Sequence, residues 1–304
     1  MRVIHEILAD GTEQPIMPVG VQPTLDPNGG LTETVNGLAI KDLKIASPAT
    51  ADDYYLRFYV RTNGNDNNDG LSESKAFATV ERAFEEVSRW NFNGRTPYFD
   101  IGAGTFTITK PIKYVGATGE PARTFTIKGA DRDTTIFDIT YTGSIFLFYG
   151  DTNYVSFQQI TFKGNNTKGN RLFGAIGTHL SVSDCKVTGS FSDLVRCDYS
   201  AYVTFSNILY EDAVITATMF QVQNHSAITL SGTHNLSNVT AGNFINVSTF
   251  SGVAAAAISI VSSGTQPTRK FTLSKMSYIN VAGRGEDILP GTTAGTKDDS
   301  SFYF

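Results

Sequence analysis

The stretch VSFQQITF, residues 155–162, carries apolar side chains at Val155, Phe157, Ile160 and Phe162. Two alternations of period two are joined by a two-residue step, and period two marks a strand with one buried face. The step after Phe157 bends the chain while keeping the next apolar pair on the inside. The same spacing returns as LSVSDCKV at 180–187 and as VTFSNILY at 203–210. Further copies are Val253, Ala255, Ile258 and Ile260, then Phe271, Leu273, Met276 and Tyr278. A weaker copy opens at Ile228 and Leu230 and loses its second half to Thr233 and Asn235, and an earlier one starts at Phe125.

The starts at 155, 180, 203, 228 and 253 recur every 23 or 25 residues, and a fixed period of this size indicates a repeat architecture. Between the starts lies a further apolar segment, exemplified by Ile145 to Phe148, Leu172 to Ile176, Leu194 to Cys197, Met219 to Val222 and Phe244 to Val247. Each period thus holds three short strands. Inward Phe, Val, Ile and Leu stacking on their equivalents one turn away describe an all-β fold, a parallel β-helix of about seven coils, in which neighbouring turns satisfy each other's backbone groups. A β-sandwich also alternates, but nothing in it requires this period.

Open solenoid ends need covers. In TVERAFEEVSRW, residues 79–90, Val80, Ala83, Phe84, Val87 and Trp90 fall at helical spacing, with Thr79 as N-cap and Glu81 in the first turn. This predicts an amphipathic helix over the first turn, after which Tyr98, Phe99, Ile101, Phe106 and Ile108 open the rod. Four regions follow: 1–55, rich in proline and glycine and without the repeat; 56–97, a lead-in loop and capping helix; 98–281, the β-helix; and 282–304, a turn-rich closing segment.

The 304 residues include 28 glycines and only 17% charged residues, and the net charge is −5. No basic cluster exceeds Arg269-Lys270, so the footprint of a nucleic-acid binder is missing. No stretch nears the roughly 18 apolar residues of a membrane span, and MRVIHE is too polar to begin a signal peptide, so membrane insertion is not expected. Cys185 and Cys197 lie outside any CxxC pattern and are expected as buried free thiols.

The loop GNDNNDG, residues 64–70, echoes the start of an EF-hand. Its twelfth position is Ala76 rather than a bidentate Glu and its first is Asn65, so no metal site is expected. The wider segment FYVRTNGNDNNDGLSESKAFATVERAFEEV, residues 58–87, resembles the lead into the β-helix of bacteriophage tail spikes and tail fibres, and LPGTTAGT, residues 289–296, is similar to the closing segment of some phage tail proteins. The resemblance implies a right-handed, pectin-lyase-like β-helix and a homotrimer that binds, and often cuts, host cell-surface polysaccharide. It also implies attachment to other virion tail or baseplate proteins through residues 1–55 and a place on the virion after synthesis in the host cytoplasm. No cofactor is implied.

Aligning the third strands gives outward columns: Arg171, Asp193, Thr218, Asn243; Gly174, Arg196, Gln221, Asn246; Ile176, Asp198, Gln223, Ser248. Arg171, Asp193, Arg196, Asp198, Gln221, Gln223 and Asn246 form the expected glycan-contacting patch. Depolymerase chemistry needs a carboxylate pair or a base; Asp193, Asp198, Glu211 and Asp212 are the candidates, although Arg196 between Asp193 and Asp198 more simply neutralises them. His179, His225 and His234 lack a partner for a triad. Tyr149, Tyr154, Tyr199, Tyr202 and Trp90 are aromatic groups able to stack on sugar or pack under turns. A structural virion adaptor that binds no sugar is the remaining alternative.

Overall fold

In a computed structural model, side chains are described for residues 44–48, 54–114, 125–150, 154–165 and 170–304. The chain divides into two units, Met1–Leu43 and Lys44–Phe304. In the first, His5–Ile7 pairs antiparallel with Glu13–Pro15, and Leu31–Thr34 with Gly37–Ile40. The attachment role expected of residues 1–55 falls largely outside the described residues.

The second unit is an all-β parallel solenoid of about eight turns with three faces. The first face stacks Tyr55–Val60, Thr96–Ile101, Phe125–Gly129, Tyr154–Gln158, His179–Ser183 and Tyr202–Ser206. It continues through the first halves of Ala227–Ser237 and Gly252–Ser263 to Tyr278–Asn280 and Phe302–Tyr303. The second face begins at Gly104–Ile108 and the third at Ile112–Tyr114. Register puts Phe58, Phe99, Ile127, Phe157, Val182, Phe205 and Leu230 in one file, every member buried. Periodicity predicts the part of that file from Phe157 to Leu230; Phe58, Phe99 and Ile127 extend it at longer spacings.

The stack starts before residue 98, because Tyr55–Val60 already pairs in parallel with Thr96–Ile101. Phe271 does not open a first-face copy. It pairs with Ile245 on the third face, and the next first-face strand starts at Tyr278, in register with Gly252, so that Val253 stacks on Ile279. Alternation is common to all three faces, so spacing and not the apolar pattern identifies the face. The weak copy at Ile228 is intact but shifted by one: His234 and Leu236 point into the core where Thr233 and Asn235 were expected. One extra residue around Gly232 accounts for the shift, and the pairing with the next turn slips between Thr229 and Ser231.

The two-residue step is a single left-handed residue. Gln159, Asp184, Asn207 and Gly232 have φ of 55°, 53°, 54° and 67° and bend each turn from the first face to the second. Backbone pairing continues through the bend, Gln159 N donating to Ser183 O and Asp184 N to Ser206 O. Asn, Asp and Gly tolerate this region best, which explains the polar letters between apolar pairs.

The helix runs from Val80 to Val87, ending earlier than expected, and Arg82 N donates to the Thr79 side chain. Val80, Ala83, Phe84 and Val87 are buried, and the Phe84 ring lies 5.1 Å from Phe99 and 5.3 Å from Phe125. Trp90 instead pairs as a strand, Trp90–Asn91 alongside Lys44–Ile45. Glu86 is fully buried among Lys44, Arg82 and the Trp90 Nε1, all of which donate to it. Burial opposes its ionised form, but these donors win and hold its pKa below the usual value.

Candidate functional site

The third face carries the polar columns in register. Arg171 pairs with Asp193, Asp193 with Thr218, and Thr218 with Asn243; Gly174, Arg196, Gln221 and Asn246 pair likewise, as do Ile176 and Asp198. Successive members sit one strand spacing apart, about 4.8 Å. The structure therefore brings the seven patch residues onto one surface.

Asp198 is the hub of that surface. Its Oδ1 accepts from Asn224 Nδ2 at 2.6 Å and from Tyr199 N at 3.0 Å. Its Oδ2 accepts from Gln223 Nε2 at 2.9 Å and lies 3.2 Å from Arg196. Gln221 Nε2 in turn donates to Gln223 Oε1 at 3.1 Å. A buried carboxylate with both oxygens engaged holds its neighbours in place. Asp193 is also buried, 3.6 Å from Arg171 and 3.2 Å from the Ser192 hydroxyl. Burial is the largest influence on Arg171 and, against the opposing pull of Asp193, leaves its pKa below the ordinary value.

Glu211 and Asp212 are not part of this surface. Glu211 pairs with Thr188 and Ser237 on the second face and bonds to Lys186. Asp212 adopts φ 49°, and its Oδ1 accepts from Asn238 Nδ2 at 3.1 Å, which makes it a corner residue. His234 lies in the core, while Tyr154, His179 and Tyr202 form an edge-to-face run along the first face with rings 6.3 Å and 5.5 Å apart.

The corner joining the third face to the first adds what the polar columns lack. Four successive turns pass it with two consecutive left-handed residues: Tyr199 and Ser200, Asn224 and His225, Thr249 and Phe250, Lys275 and Met276. Bulky residues rarely adopt this conformation, and here it repeats turn after turn. The outcome is an exposed apolar ridge: Tyr199 is 63% exposed, Phe250 53% and Met276 56%. The Phe250 ring stacks on His225 at 5.4 Å and 10° from parallel. Of these residues Tyr199, His225 and Met276 stand out in the sequence, and Met276, expected with Tyr278 as an inward member of the repeat, is instead exposed, because it sits on the corner and not in a strand. The usable signal was the recurrence of a dipeptide at one offset between third-face and first-face strands.

A second outward aromatic cluster sits at the opposite end of the solenoid. Tyr55 and Tyr98 meet at 5.5 Å, and the Arg57 guanidinium lies 4.4 Å from the Tyr98 ring centre. Among the described residues no group of His, Cys, Asp and Glu is arranged to hold a metal ion. No family model matches the chain, and neither a curated protein nor a solved structure matches it.

Proposed function

We propose that the chain is the recognition rod of a bacteriophage tail spike or tail fibre, which binds host cell-surface polysaccharide as a homotrimer held to the virion through its N-terminal region. The observation that carries this reading is the junction at Asp198 and Tyr199. A cross-braced row of guanidinium, carboxylate and amide groups runs into an exposed aromatic ridge at one corner. Saccharides ask for both: fixed donors and acceptors for hydroxyl groups, and flat apolar surface for the ring face. Exposed aromatic side chains beside polar groups suit an interaction surface. The resemblance of residues 58–87 to phage tail spikes supplies the setting. Three parallel sites on one support raise the effective concentration of weak individual contacts.

Binding of the full chain to an array of bacterial surface polysaccharides tests the reading, with light scattering on the same sample. The expected solution mass is three times the 32.9 kDa of the chain. Tyr199→Ala and Arg196→Ala are expected to weaken binding at least about tenfold, a loss of about 1.4 kcal/mol, with the thermal midpoint kept. Unchanged binding by both variants, or no polysaccharide bound at all, overturns it.

A further inference from the structure

Asp198 decides which way the amide side chains around it face. Asn224 Nδ2 and Tyr199 N donate to its Oδ1, and Gln223 Nε2 and the Arg196 guanidinium meet its Oδ2. With N–H groups on both oxygens the carboxylate can only accept, so an amide placed against it has to present its NH2 end. The orientation of Gln223 and Asn224 therefore follows from their partner, although the two ends of an amide have the same shape.

That constraint passes along the third face. Gln223 spends its NH2 on Asp198 and so turns Oε1 toward Gln221, which answers with its own Nε2 at 3.1 Å. Both ends of Gln223 are then used. Gln221 and Asn224 each keep a carbonyl oxygen, Oε1 and Oδ1, to which nothing donates among the described residues. Both residues are half-buried, and these two oxygens reach solvent. Arg196 is the ladder partner of Gln221, one strand spacing away, and with one nitrogen held at Asp198 it keeps N–H groups for a ligand. A donor and an acceptor thus stand side by side on the face, with the exposed Tyr199 ring at the adjoining corner.

We infer that the site selects saccharides bearing an acetamido group, with Asp198 as the positioning residue that sets this preference; the inference rests on the glycan reading above. A hydroxyl group donates or accepts as required, so it satisfies a face of either polarity. An acetamido group does not adapt in this way. Its N–H only donates and its carbonyl only accepts, which matches Gln221 Oε1 beside the Arg196 guanidinium. Its methyl group is apolar and suits the Tyr199 ring. Sites that hydrogen-bond a particular N–H discriminate more sharply than apolar pockets, because the analogue lacking it leaves a polar group unpaired. The opposite orientation of Gln223 would turn the Gln221 NH2 outward, donor against donor, and the preference would vanish.

The test uses the full chain on a bacterial polysaccharide that it retains from the array. N-acetylglucosamine, N-acetylgalactosamine and N-acetylmannosamine are set against glucose, galactose and mannose as competitors, so that each pair differs only at C2. The best N-acetylated competitor is expected to act at a concentration about tenfold below that of its parent hexose. Gln221→Met keeps the length of the side chain and removes the acceptor; it should bring that ratio to within about twofold of unity with the thermal midpoint unchanged. Asp198→Asn can hold only one of its two amide neighbours in the present orientation and should also shrink the ratio. If Asp198→Asn lowers affinity for all six sugars alike and keeps the ratio, Asp198 is structural only and its positioning role is overturned. Equal competition within every pair, or a ratio that Gln221→Met leaves unchanged, overturns the acetamido preference and leaves the glycan reading standing. If no polysaccharide is retained, both fall together.

Discussion

Asp66 grips Thr79 with both carboxylate oxygens: Oδ1 accepts from Thr79 N at 2.9 Å and Oδ2 from the Thr79 hydroxyl at 2.8 Å. Oδ1 also accepts from Ala78 N at 2.8 Å. The oxygen-rich loop at 64–70 thus acts as a clamp on the helix N-cap. Its other oxygens are used locally, Asn65 Oδ1 by Asn67 N and Asp69 Oδ1 by Leu71 N. Asp66→Ala strips three donors of one acceptor and is expected to destabilise by about 2–3 kcal/mol, read from urea unfolding. Calcium or EDTA should leave the midpoint in place; a shift with calcium would contradict this account.

Phe157 tests the stacked core. It is fully buried between Ile127 below and Val182 above, with its ring 5.0 Å from Phe146 and 5.3 Å from Phe173. Phe157→Ala should cost about 3–5 kcal/mol and Phe157→Leu far less, because leucine fills most of the same space. Equal losses for the two would mean that packing along the file is loose.

The file was legible because one physical rule, alternation at a fixed period, governs every turn; the contents of the corners were not. Thr249 and Phe250 violate residue preferences to adopt a left-handed pair, so propensity argues against the very feature that exposes the ridge. The polar columns could be written from spacing, and register reproduces the first two and the Ile176–Asp198 step of the third. That Asp198 is spent on Gln223, Asn224 and Arg196 could not, since side chains from two different turns meet on it. His234 faces inward for a related reason. A single inserted residue changes which side chains face inward, and a strand has no tolerance for a slip of one.

His234 gives the fold an acid limb. Its Nε2 donates to Ser231 O at 3.0 Å and its ring stacks on Tyr210, wholly inside the core. Burial pushes its pKa down to about 4, against the weaker opposing effect of its backbone hydrogen bonds. The unfolded chain takes up a proton near pH 6.5 and the folded chain does not, so this contribution is complete above 6.5 and is lost as pH falls toward 4. The loss is about 3 kcal/mol. Asp298, with its pKa lowered to about 2 by hydrogen bonds from Ser301 and the Lys275 N–H, acts in a separate window below about pH 4. Unfolding of His234→Phe should lack the first slope, between pH 7 and 4, and keep the second, below pH 4.

The two thiols give an alkaline counterpart. Cys185 is fully buried, its Sγ 3.2 Å from Ser183 O, and burial pushes its pKa up to about 12; Cys197, also buried, is raised by burial and then by Asp198. A folded pKa above the unfolded one means stability that is intact below about pH 9 and declines as pH rises toward 12. At pH 8 only about one Cys185 in ten thousand is thiolate, and the thiolate is the reactive form. Native protein should therefore resist iodoacetamide for hours, and labelling of both cysteines should speed up in urea in step with unfolding. Because Cys185 and Cys197 belong to one turn, Cys185 just before and Cys197 within the strand Lys186–Asp198, equal labelling rates would show the turn opening as a unit. Rapid stoichiometric labelling of native protein would show that this part of the core is open to solvent, contrary to the packing described.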